Sequence, residues 1–284
     1  MQEHIQPRRS FIFSPGTDPS MFRKALTSGA DIVCVELEDG VAPHDKDAAR
    51  ENMLAIFAEP QADDGVERIV RINEIHSAAG RADLEAVLGA ESPPPALMLP
   101  KVNTPEEVAA VADALDEMSL PIRLQIIIET NHGLENAYDI AQVSPRIDSL
   151  LFGGVDLAAD LRCEYAWEPL LYARSRVVHA AAAAGIDAID VPWLDLKDVD
   201  GLRTEAEASA RLGFTGKGAI HPNQIALINE IFSPSAERVA YAQKVVTAFA
   251  EANTGLVVID GKLIELPVLR TMERILAVAE RTST

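Results

Sequence analysis

The sequence predicts a (β/α)8 barrel, of the TIM type, followed by a C-terminal helix–hairpin–helix extension. Three observations carry this. Eight short apolar runs recur at intervals of about 30 residues. Longer amphipathic stretches separate them. The runs show little polar alternation, as parallel strands buried on both faces do.

In order, the strand runs are SFIF (10–13), DIVCVEL (31–37), RIVRI (68–72), ALMLP (96–100), RLQIIIE (123–129), SLLFGG (149–154), AIDVP (188–192) and GKGAI (216–220). Helical stretches between them include residues 19–29, 104–118 and 198–213. The second of these stretches starts well-marked: Thr104 can cap, Pro105 fits the first helical position, and Glu107 completes a capping box. Gly29, Gly185 and Gly213 stand where helices would end. SPPPA (92–96) reads as a loop into the fourth strand. A doubly wound open sheet is the alternative; it needs fewer strands, and no G-x-G-x-x-G turn follows the first run.

The barrel is expected to occupy residues 1–232. Residues 233–284 then form the extension: a helix (233–252), a hairpin turning at Asp260–Gly261 (256–266), and a last helix (267–282). A barrel does not need this tail, which is expected to pack on a neighbouring subunit.

A chain of 284 residues, 48% of them hydrophobic, can bury a large core. Its net charge of −19 repels nucleic acid and anionic membranes, which excludes both as partners. A small anionic substrate is still permitted, because local cations decide its fate. Cys34 and Cys163 are the only cysteines; unpatterned, they suggest a reducing compartment without a disulfide framework. The start MQEHIQPRRS lacks the apolar region of a signal peptide, and no run approaches the length of a membrane span. A cytoplasmic location is expected.

In such barrels chemistry sits at the C-terminal ends of the strands. The polar residues there are Glu36, Glu38 and Asp39 after the second strand, Arg71 and Asn73 at the third, Lys101 at the fourth, Glu129 at the fifth, Asp156 at the sixth, and His221 at the eighth. Converging acids repel unless a cation joins them. Without clustered His or Cys, zinc is disfavoured. An oxygen shell of one or two carboxylates and several waters suits Mg²⁺, with Mn²⁺ a substitute. Glu129 and Asp156 end successive strands and are the candidate ligands; Glu38 and Asp39, further out, would hold the waters. The plain alternative makes each acid a helix N-cap, a reading that fits Asp156 taken alone. Arg71 offers a fork for a carboxylate or polarised carbonyl. It could equally be an ion-pair partner of Glu38 or Asp39, and both roles can coexist.

The ordered motifs RSFIFSPGTDPSMFRKALTSGADIVCVELEDGVAP, VRIN, LPKV, IIET, GGVDLAADL and GFTGKGAIHPNQIALINEIFSP resemble the citrate lyase β-subunit-like enzymes, the group of malyl-CoA and citramalyl-CoA lyases. The resemblance runs from about Arg9 to the last helix. It implies a Mg²⁺-dependent Claisen-type lyase, assembled as a homotrimer or hexamer, that splits a 3-hydroxyacyl-CoA into acetyl-CoA and a 2-oxoacid such as glyoxylate or pyruvate. By the same resemblance Glu129 and Asp156 are metal ligands, Arg71 binds substrate, Phe13 and Lys24 lie near coenzyme A, and Glu265 is the acid–base residue, reaching across from a neighbour. Three positions depart from the family pattern. Asp18 stands where an arginine is common, Glu265 where the acid is usually aspartate, and Val155 where glutamate often precedes the metal-binding aspartate. Rival readings are a citrate lyase β subunit acting on a carrier-bound citryl group, a CoA-free pyruvate aldolase, and a non-catalytic metal-binding subunit.

Overall fold

The computed structural model describes residues 6–252 and 255–282. Two compact units divide the chain, one spanning Arg8–Asn229 and the other holding the chain from Glu230 on.

In the first unit eight parallel strands close into a barrel in sequence order. They are β1 (Ser10–Pro15), β2 (Ile32–Glu36), β3 (Glu67–Arg71), β4 (Ala96–Leu99), β5 (Arg123–Ile128), β6 (Ile147–Phe152), β7 (Asp187–Asp190) and β8 (Gly216–Ala219). Helices follow them: α1 (Pro19–Leu26), α2 (Lys46–Ala58), α3 (Ala78–Leu88), α4 (Pro105–Glu117), α5 (Asn131–Ile140), α6 (Gly154–Leu161), α7 (Trp167–Ala184), α8 (Val199–Leu212) and α9 (Ile225–Phe232). Each of the eight sequence runs holds a strand.

Local chemistry sets the helix ends. Thr104 and Glu107 form the expected capping box at α4. Asp18, Thr130 and Asp198 each accept a backbone N–H at the start of α1, α5 and α8. Gly185 and Gly213 end α7 and α8 with φ of 71° and 117°, a region that disfavours other residues. Gly29 is a correction: α1 stops at Leu26 with Thr27 as its cap, and Gly29 bends the chain three residues past the helix, at φ 82°.

Alternation along each strand divides the burial. One set of side chains fills the barrel: Phe11, Cys34, Ile69, Met98, Ile127 and Leu151 belong to one buried cluster. The other set lies under the helices and includes charge. Lys217 on β8 donates to Asp190 (2.9 Å) and Glu205 (2.7 Å), while Arg174 Nε donates to Asp190 (3.0 Å). Lys217 and Asp190 are fully buried, so removing either partner would strand a charge at a cost of about 3–5 kcal/mol. At the N-terminal end Arg8 joins Glu67, Asp148 and Asp187, leaving the opposite end for chemistry.

The second unit contains α10 (Ala236–Ala252), β9 (Leu256–Ile259), β10 (Lys262–Glu265) and α11 (Leu266–Thr282). The strands pair antiparallel through Asp260–Gly261, both at positive φ (50° and 74°), as a two-residue hairpin requires. Val257, Ile259 and Ile264 pack on Val245 and Phe249 of α10. No helix among the described residues is long and apolar enough to cross a membrane.

Candidate active site

The polar residues at the C-terminal ends of β2 to β6 form one interacting group. Glu36 and Arg71 are the last residues of β2 and β3 and stand opposite each other in register. Arg71 Nε donates to Glu36 Oε2 at 2.5 Å, and Nη1 lies 3.4 Å from Glu38 Oε2. The guanidinium sits over the Phe13 ring, 4.5 Å from its centroid. Burial works against the Arg71 charge, but Glu36 and Glu38 outweigh it and raise its pKa. The ion-pair reading of Arg71 therefore holds, with Glu36 and Glu38 as partners rather than Asp39. Neither contact uses Nη2, the nitrogen that can meet a substrate.

Lys101 adds a second cation, so Arg71 is not the only positive charge at the mouth. Its Nζ donates to Glu38 Oε1 (2.5 Å) and to both oxygens of Asp39 (3.1 and 3.2 Å). Glu38 is thus shared between two cations, and both Glu38 and Asp39 are ion-paired directly within the protein.

Glu129 follows β5 and is 3% exposed. Its Oε1 accepts the Lys101 backbone N–H at 2.8 Å. Thr130, not Glu129, caps α5. Burial, then Asp156, then Glu38 push the Glu129 pKa up to about 8, against the Lys101 amide and Arg71. Gly153, after β6, makes room for the Glu129 side chain. A Cβ there would stand 2.4 Å from Glu129 Cβ and 2.6 Å from its Oε2.

Asp156 lies in the first turn of α6, exposed, and Gly153 is that helix's N-cap. The N-cap alternative for Asp156 is therefore replaced by a different position, the third residue of the helix. Val155 beside it is 43% exposed. Of the remaining candidates, Phe13 lines the mouth under Arg71, whereas Lys24 is exposed in the last turn of α1. Glu265 ends β10 in the second unit and is exposed. His221 caps the turn after β8, its Nδ1 accepting the Asn223 N–H.

Among the described residues no three or more His, Cys, Asp or Glu side chains form a metal cage. Two carboxylates, Glu129 and Asp156, fit a different demand. They are hard oxygen donors, and the charge of Asp156 weighs on Glu129, a repulsion that a cation such as Mg²⁺ would relieve.

Comparison with known proteins identifies the family. The HpcH/HpaI aldolase/citrate lyase family matches residues 9–222. The chain belongs to this family. Among family members, the citramalyl-CoA lyase, mitochondrial, of Rattus norvegicus is 34% identical over 96% of this chain and 86% of its own. The citrate lyase subunit beta of Leuconostoc mesenteroides subsp. cremoris is 33% identical over 96% and 93%. The L-malyl-CoA/beta-methylmalyl-CoA lyase of Cereibacter sphaeroides is 33% identical over 98% and 96%. A solved structure of the CitE protein of Mycobacterium tuberculosis, in complex with magnesium, acetoacetate and coenzyme A, superposes with a TM-score of 0.78 at 32% identity, covering 95% of this chain and 97% of its own.

Proposed function

We propose that the protein is a Mg²⁺-dependent carbon–carbon lyase. It cleaves a short 3-hydroxyacyl-CoA, of the malyl-CoA or citramalyl-CoA type, into acetyl-CoA and a 2-oxoacid, glyoxylate or pyruvate. The observation that carries the reading is the buried Glu129, coupled to Asp156 and facing the Arg71 mouth of a barrel whose relatives bear these names.

Glu129 and Asp156 hold the metal, with Mn²⁺ as a substitute. Bound there, Mg²⁺ would supply Lewis-acid chemistry to an oxygen of the 2-oxoacid portion. Arg71, held by Glu36 through Nε and by Glu38 through Nη1, offers Nη2 to the oxygen on which charge develops. Its position costs no rearrangement at the moment of reaction. In cleavage the 3-hydroxyl gives its proton to water, the Cα–Cβ bond breaks to leave the 2-oxoacid, and the acetyl-CoA enolate takes a proton from Glu265, whose carboxylate regains one from solvent. In synthesis Glu265 removes that proton. Phe13 bounds the mouth beneath Arg71, and Lys24 is assigned to coenzyme A. Glu38 and Asp39, held by Lys101, line the outer side of the metal site.

Glu265 acts from a neighbouring subunit in a homotrimer or hexamer. The hairpin supports this: while Val257, Ile259 and Ile264 pack inward, Leu256, Val258 and Leu263 are 50%, 67% and 58% exposed. An apolar strand face of this kind suits coverage by another copy. Both cysteines are free thiols, in keeping with a reducing compartment, and the cytoplasm is the location we assign.

The citrate lyase β-subunit relative supports one second reading, cleavage of a carrier-bound citryl group to oxaloacetate. Purified protein with Mg²⁺ and a panel of free CoA thioesters separates the two. Release of acetyl-CoA from malyl-CoA or citramalyl-CoA supports the first. Turnover only of citryl attached to an acyl carrier protein selects the second.

A further inference from the structure

Lys101 has the most unusual backbone at the mouth. It follows β4 with φ of 54°, in the left-handed region that side-chain-bearing residues avoid. Two groups of contacts hold it there. The backbone N–H points at Glu129 Oε1 (2.8 Å), and the carbonyl accepts from Asn103 Nδ2 (2.9 Å). Asn103 in turn accepts from Thr130 Oγ1 (2.8 Å) through its side chain and from Asn136 Nδ2 (2.7 Å) through its backbone. The loop after β4 is thereby latched to the start of α5, on either side of Glu129. On the other side of the same residue, Nζ bridges Glu38 and Asp39.

These contacts do different jobs. The amide fixes one oxygen of Glu129 and leaves the other, the one that faces Gly153, to a ligand. The ammonium holds Glu38 Oε1 while Arg71 Nη1 faces Oε2. With Nζ in place Glu38 is divided between two cations, and its grip on Arg71 Nη1 stays at a long 3.4 Å. Without Nζ, Glu38 has one cation left and closes on Arg71, turning the guanidinium away from substrate.

We propose that Lys101 is a positioning residue: its left-handed backbone aims Glu129, and its ammonium holds Glu38 and Asp39 so that Arg71 stays free for the substrate. This rests on the lyase reading for its kinetic part and on the proposed Glu129–Asp156 metal site for its metal part. Opposing signs distinguish it from ordinary structural support. Removing a positive charge beside a divalent site strengthens cation binding, while a capture of Arg71 slows the chemistry. A residue that merely held the loop together would weaken both.

The test is Lys101→Met, which keeps the backbone amide and the chain length. Calorimetric titration with Mn²⁺ should show binding about three- to tenfold tighter than wild type, while kcat on the active thioester falls by more than tenfold and Lys101→Arg restores part of it. Unchanged or weaker Mn²⁺ binding, or kcat within twofold of wild type, overturns the proposal. If wild-type protein cleaves no thioester, the lyase reading fails, and the sign of the Mn²⁺ change still decides the charge effect of Lys101. The backbone part is read by melting temperature. Lys101→Gly, which suits a positive φ, should melt above Lys101→Ala; the reverse order overturns the claim that the left-handed backbone is held under strain.

Discussion

Gly153→Ala adds a single methyl group, and the structure says where it must go. Gly153 has φ of −87°, so alanine meets no left-handed backbone there. The conflict is one of space. The new Cβ would meet Glu129 Cβ at 2.4 Å, Glu129 Oε2 at 2.6 Å and Ile127 Cγ2 at 2.9 Å. The first contact is at the root of the Glu129 side chain, so rotating the carboxylate cannot relieve it. To reach ordinary van der Waals contact the gap must open by about 1 Å, which moves Glu129 or the β6–α6 turn. Overpacking of this kind costs about 1–3 kcal/mol. A reacting or ligating group displaced by ~1 Å loses on the order of 10²-fold in rate. Urea denaturation of the metal-free protein and Mn²⁺ calorimetry, done on the same preparation, should show a stability loss in that range and metal affinity at least tenfold weaker. A folded variant that binds Mn²⁺ with wild-type affinity would refute the reasoning, because Glu129 would then not need the position the structure gives it.

Arg71→Lys keeps the charge and loses the fork that spans Glu36, Glu38 and substrate; kcat/KM should fall by about 10²- to 10³-fold with little change in melting temperature, and near-normal turnover would make Arg71 purely an ion-pair partner. The raised Glu129 pKa sets two opposite pH dependences. Its folded value of about 8 exceeds the ordinary 4.5, so its contribution to metal-free stability is present below pH 4.5 and is lost as pH rises through about 8, whereas metal affinity should rise over the same window, with a proton released, and level off above it. Denaturation and calorimetry at several pH values check both, and metal affinity that does not vary between pH 6 and 8 would contradict the second. Glu265→Gln and Glu129→Gln should each be inactive; co-expressed, they should recover part of the activity in mixed oligomers, and mixed oligomers that stay dead would place the proton donor within one chain or on another residue.

The barrel was legible because its strands are continuous apolar runs. Their order and parallel burial leave few other closed arrangements. Boundaries shifted where the deciding force is local, as at Gly29, where α1 stops at Thr27 before the glycine is reached. Charged residues on the outer face of strands were harder to read. Lys217 and Asp190 look like interruptions of AIDVP and GKGAI, yet they pair with each other beneath α7 and α8. At the mouth, strand-end position alone singled out Glu129, Asp156, Glu38, Asp39 and Arg71. What it did not give was who neutralises whom. Glu36 is the tightest partner of Arg71 because the β2–β3 register sets them opposite, a fact carried by pairing and not by spacing. Lys101 took its importance from a positive φ and from contacts 28 and about 60 residues away, none of which leaves a local pattern. The one available signal was LPKV itself, a lysine ending a strand that points at acids.

The most direct test is acetyl-CoA release from malyl-CoA and citramalyl-CoA, measured across a Mg²⁺ titration with wild-type protein, Glu129→Gln and Asp156→Asn side by side. Wild type should be inactive in excess chelator and recover fully and saturably as Mg²⁺ is added, while both variants stay folded and fail to respond at the same concentrations. Turnover that survives the chelator, or a Mg²⁺ response unchanged in both variants, would contradict a metal-dependent lyase built on Glu129 and Asp156.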